Sequence, residues 1–74
     1  MPKSSTLQKV FHLTPAEAKL AIAISRGKTL DEVAQDGGTS VATVRKQLGT
    51  VFAKTNTHRQ AELVTLVARL SILP

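Results

Sequence analysis

The sequence contains no cysteine, no tryptophan and no tyrosine, and only two phenylalanines among its 74 residues. Without cysteine there is no disulfide framework, no zinc finger and no thiol nucleophile. So few aromatics argue against RNA or single-strand recognition, which stacks bases on aromatic platforms. No apolar run is long enough for a membrane span or for the apolar core of a signal peptide. Acids are scarce too. Glu17, Asp31, Glu32, Asp36 and Glu62 face ten lysines and arginines, and no acid lies between Asp36 and Glu62. The expectation is one small, soluble, cytoplasmic domain with no cofactor, no metal and no membrane contact.

What is present is mostly small, aliphatic and basic. The net charge is +5 and the isoelectric point is near 10.3, which favours an anionic partner. Hydrophobic residues make up 42%, enough for a single core. A domain this short buries only roughly 60% of its unfolded surface, so its stability is modest.

The chain is punctuated by helix starts. Met1–Ser4 reads as a frayed beginning. Ser5 to Gln8 fits a capping box, with Leu7, Val10 and Phe11 following at helical spacing. Leu13-Thr-Pro-Ala-Glu17 is a stronger start: Thr14 caps, Pro15 takes the first helical position and Glu17 closes the box. Leu20, Ala21, Ala23 and Ile24 then form a buried face, and Gly27 ends the helix in a left-handed conformation. Thr29 and Glu32 make a third box. It opens a short helix with Leu30, Val33 and Ala34 inside, which Gly37-Gly38 stops. Thr57 and Gln60 make a fourth box, before a last helix with Leu63, Leu66, Val67 and Leu70 on its main apolar stripe. Ala61, Val64 and Ala68 form a second apolar strip on that helix, a candidate two-fold interface. Ser71–Pro74 reads as a tail.

The organising stretch runs from Thr39 to Lys54. Ser40 caps it. At about 100° per residue, Val44, Leu48 and Val51 fall on one side and Ala42, Arg45, Lys46, Gly49 and Ala53 on the other. The first side wants a core. The second is basic with short neighbours, so it suits a polyanion at close range and equally suits a solvated face. With the preceding helix and the Gly-containing turn it forms a helix-turn-helix pattern, whose second helix enters the major groove of DNA.

Taken in order, Leu13-Thr-Pro-Ala-Glu17, Gly27, Glu32-Val-Ala34, Ser40, Thr43-Val-Arg45, Lys54, Arg59 and Leu63 resemble the LuxR/GerE-type helix-turn-helix domain of bacterial transcriptional regulators. The resemblance spans about Leu13 to Leu70. It implies an all-α, four-helix DNA-binding domain over residues 13–74, with residues 1–12 as an N-terminal arm carrying a short extra helix. It also implies a recognition helix over about 41–54 and dimerisation through the last helix, at Ala61, Val64 and Ala68. Double-stranded DNA, a second copy of the chain and RNA polymerase are the partners implied. Arg45 matches a position that commonly touches bases, and Lys46, Gly49 and Ala42 share its face. Ser40, Thr43 and Lys54 match phosphate-contacting positions, and Gln47, Lys28 and Thr29 are expected beside them. Arg59 matches a common arginine of mixed role.

There are departures from the family pattern. Gly37, Thr39 and Thr55 stand where larger aliphatics are usual, which implies a thinly packed junction between the two motif helices. Gln47 replaces a frequent His, and Gly49 replaces a longer, often basic residue.

Nothing in the sequence points to catalysis. Glu17 and Glu32 have helix-start roles, the other acids read as surface charge, and His12 and His58 lie far apart at helix ends. No glycine-rich phosphate loop follows a strand. Sequence-specific DNA binding by a transcription regulator is therefore the leading expectation. The alternative is a helical protein-interaction module whose basic face is incidental. A polymerase sigma-factor segment would share the motif, but the doubly apolar last helix argues against it.

Overall fold

The computed structural model describes residues 3–72. These form five α-helices and no strand: α1 Ser4–Phe11, α2 Pro15–Ser25, α3 Leu30–Gly37, α4 Val41–Thr55 and α5 Gln60–Ile72. The all-α expectation therefore holds. Helix α5 continues through Ser71 and Ile72, where the sequence suggests a tail. Residues 1–2 of the expected frayed start, and residues 73–74, lie outside the described residues.

Three helix starts form as their sequences dictate. Thr14 Oγ1 accepts from the Glu17 amide at 3.2 Å, while Glu17 Oε1 accepts from the Thr14 amide at 2.8 Å. Thr29 and Glu32 repeat the arrangement at 3.1 and 2.9 Å. Ser40 Oγ accepts from the Thr43 amide at 3.2 Å and starts α4. The hydroxyl or carboxylate oxygen satisfies amides that the helix itself cannot pair.

The other two expected boxes are corrected. Lys3 precedes α1 without a side-chain cap, and Gln8 Nε2 instead donates to Ser4 Oγ at 3.1 Å. At α5 the Thr57 hydroxyl is turned inward, 2.8 Å from Thr55 Oγ1. Glu62 Oε1 takes over, accepting from the amides of His58 and Arg59 at 2.7 and 3.0 Å. A charged acceptor makes a stronger bond to a backbone amide than a hydroxyl does. Glu62 thus has a structural job where the sequence suggests surface charge.

Three helices stop the same way. Gly27 (φ 89°), Gly38 (φ 63°) and Asn56 (φ 57°) turn left-handed after α2, α3 and α4. The next amide then reaches back five residues: Lys28 to Ala23, Thr39 to Ala34 and Thr57 to Phe52, at 3.0–3.1 Å. These bonds close the Schellman motif and pair otherwise orphaned carbonyls.

Helix α2 lies at the centre and packs against α1, α3, α4 and α5. Its Ala18, Leu20, Ala21 and Ile24 join Ala34, Val44, Leu48, Val51, Leu63 and Val67 in one core. Leu7 of α1 belongs to that core at 1% exposure, so the first helix is a wall of the domain rather than part of a separate arm. Thr55, which replaces an aliphatic, is buried with its hydroxyl satisfied. It donates to the Val51 carbonyl at 2.7 Å, which leaves Thr57 as donor in the Thr55–Thr57 pair. Gly37 and Thr39 line an open cleft of about 540 Å³ between α2, α3 and α4, floored by Leu20 and Val44.

The Thr29 cap gives a direct test of the α3 start. Thr29→Ala removes the acceptor for the Glu32 amide and should cost about 1 kcal/mol. In a domain of this size that lowers Tm by roughly 4–8 °C. An unchanged melting curve would mean that the exposed box contributes nothing to the fold.

Candidate nucleic-acid interface

Helix α4 sorts its residues cleanly. Val44, Leu48, Val51 and Thr55 are buried against the core. Ala42, Arg45, Lys46, Gly49 and Ala53 are all exposed. The sorting follows from spacing alone, because residues three and four apart share a helix face. The centre of the outward face is bare: Ala42, Gly49 and Ala53 offer nothing longer than a methyl group. Arg45 and Lys46 flank it, and neither makes an ion pair among the described residues.

The N-terminus of α4 adds polar groups. Ser40 and Thr43 are exposed, with their hydroxyl oxygens 3.0 Å apart. One hydroxyl donates to the other, so one proton stays free for an outside acceptor. Helix N-termini also present unpaired amides and a partial positive charge. Gln47 is half-buried and faces the cleft beside α2 rather than the centre of the outward face.

Thr29 is exposed at the start of α3. Its oxygen serves the cap while its proton is not used there. Lys28 is exposed and pairs with Asp36. Such surface pairs are worth little, so this lysine can exchange partners at small cost.

Lys54 is placed differently from the sequence expectation. Its ammonium donates to Glu17 Oε1 at 2.8 Å and to the His12 carbonyl at 3.2 Å. It fastens the end of α4 to the corner between α1 and α2. The structure therefore gives Lys54 an internal partner where the sequence suggested a phosphate. Glu17 is its counterpart, with a side chain only 11% exposed. The Lys54 hydrogen bond, then the Thr14 amide, holds the Glu17 carboxyl below its ordinary value of 4.5. Sequence spacing gives no sign of this pair, because its members are 37 residues apart.

The sign of the pH effect follows. The folded chain binds the Glu17 proton less readily than the unfolded chain does. The pair therefore contributes fully above about pH 4.5, and the contribution is lost as pH falls through the lowered folded value. Lys54→Met should cost about 1 kcal/mol at neutral pH, since solvent near the surface of so small a domain screens the pair. The gap between variant and wild type should close in acid. Melting curves from pH 7 to pH 3 test this, and a gap that widens in acid would contradict the assignment.

On α5, Ala61 and Ala68 are exposed while Val64 is half-buried and packs against the core, so the two alanines are the free part of the minor apolar strip. Leu63 and Val67 turn inward at 1% exposure each. Arg59 is exposed just before α5. Among the described residues no His, Asp or Glu group could hold a metal ion, and no helix is long and apolar enough to cross a membrane. Compared with known protein families, curated proteins and solved structures, the chain finds no match.

Proposed function

We propose that this chain is a sequence-specific double-stranded-DNA-binding domain of a transcriptional regulator, with α3 and α4 as a LuxR/GerE-type helix-turn-helix. The observation that carries this reading is the outward face of α4: an exposed, bare centre flanked by two cations that pair with nothing in the described fold. A solvated face needs no bare centre, whereas a helix lying in the major groove gains from one. Arg45 and Lys46 read base edges, with Ala42 and Gly49 against the groove floor. Ser40, Thr43, Thr29 and Lys28 hold phosphates, with Gln47 at the margin. Phosphate contacts position the domain and base contacts specify the site.

One such domain covers little DNA, so two copies on neighbouring half-sites supply useful affinity. The Ala61, Val64 and Ala68 strip is the interface between them. Ala61→Glu, at an exposed position of the strip, should leave the monomer folded and weaken dimerisation, as read by sedimentation equilibrium. A wild type that stays monomeric at high concentration and on DNA would remove the interface.

Footprinting on a randomised duplex pool, followed by titration across salt concentrations, tests the whole reading. A protected, selected sequence and affinity that falls steeply with salt are expected. Binding that is absent, or indifferent to salt, would favour a protein-interaction module instead.

A further inference from the structure

Gly49 has no internal reason to be glycine. Gly27 and Gly38 adopt positive φ, which other residues resist, but Gly49 lies within α4 and its φ is not in that region. A Cβ built on it meets nothing within 4 Å. The residue is exposed, so no neighbour needs the space. Glycine inside a helix is disfavoured relative to alanine, because it gives up more backbone freedom on folding. The fold therefore carries a penalty that one methyl group would remove.

The position of this penalty is informative. At about 100° per residue, Gly49 falls between Arg45 and Lys46 on the outward face, one turn along from both. These are the two cations of α4 with no ion-pair partner among the described residues. The bare backbone thus lies one turn C-terminal to those two unpaired cations and between them on the helix face.

We propose that Gly49 sets the depth at which α4 enters the major groove: a base edge presses on its Cα, and a Cβ would hold the helix away. This inference rests on the DNA-binding reading above. At that depth Arg45 reaches the base edges with its planar guanidinium, where bidentate geometry tolerates little displacement. The ligand class is a duplex whose base pair beneath Gly49 presents an apolar, methyl-bearing edge, as thymine does.

The experiment compares wild type with Gly49→Ala and Gly49→Leu, measuring Tm and binding to the selected duplex and to random duplex. Both variants restore helix propensity, so Tm should rise, by about 4–8 °C for Gly49→Ala. Binding to the selected duplex should fall on the order of tenfold for alanine, the size of one lost base contact, and further for leucine. Random duplex, held through phosphates, should be bound nearly as before. Replacing thymine by deoxyuridine under Gly49 should weaken the wild type and partly restore Gly49→Ala, whose added methyl takes the vacated space.

A stabilised Gly49→Ala that binds the selected duplex as tightly as wild type would overturn the inference and leave the DNA-binding reading standing. A lowered Tm would overturn its premise that the site is open. A wild type that binds no duplex in a salt-dependent manner would remove the DNA-binding reading, and this inference with it.

Discussion

Leu20→Ala is expected to lower the melting temperature by roughly 10 °C or more. Leu20 is 1% exposed on α2, the helix that packs against all four others. Removing a buried leucine side chain costs about 2–5 kcal/mol, through lost transfer energy and the cavity left behind. A chain of this length has a total stability of roughly 4–11 kcal/mol. Around half of it would go in one substitution. Chemical denaturation followed by circular dichroism measures the loss. The matching control is Val10→Ala on α1, where the side chain is 53% exposed and the change should stay within about 0.5 kcal/mol. A loss below about 1 kcal/mol for Leu20→Ala would show that α2 is not the centre of the core.

Arg45→Ala is expected to lower affinity for the selected DNA site by about 1–3 kcal/mol and to relax preference at one base pair. Arg45 is exposed in the N-terminal half of α4, the half that enters the groove in helix-turn-helix docking. It makes no ion pair among the described residues, so its loss should leave the fold intact. The measurement is binding to the best site, to its point variants and to random DNA. If every affinity falls equally and the preference survives, Arg45 contacts a phosphate. If nothing changes, the basic face of α4 is solvated and the protein-interaction reading gains.

The legible parts of the fold were those governed by local chemistry. Thr14, Thr29 and Ser40 act within three residues of themselves, so their caps can be read from spacing. The two faces of α4 are equally local, since helical geometry fixes them. Where local signals compete, spacing is not enough. Thr57 and Gln60 match a box, but the Thr57 hydroxyl finds a buried partner in Thr55, and the Glu62 carboxylate wins the free amides. The role of Leu7 was hidden for another reason. A few apolar residues in a short helix look the same in a loose arm and in a core wall until their partners are known. Lys54 shows the same limit in the candidate site. Its charge and position suggest a phosphate, while its partner Glu17 already looks fully occupied by its own cap. One carboxylate oxygen accepts from both the Thr14 amide and Lys54, and no sequence pattern announces that double use.

The placement of α2 also dictates how the molecule opens. Its amides lie beneath every other helix, so they should exchange with solvent only when the whole domain unfolds. Helices α3 and α4 pack on each other and meet the rest largely through α2. They can therefore lift as a pair while α1, α2 and α5 stay closed, and the Lys54–Glu17 tie is the fastening that such a motion must undo. Helix α5 likewise meets the rest mainly through α2, so either partner of that central helix can open while the other stays in place. Hydrogen exchange should find α2 the most protected helix, with α3–α4 and α5 exchanging through smaller, separate openings.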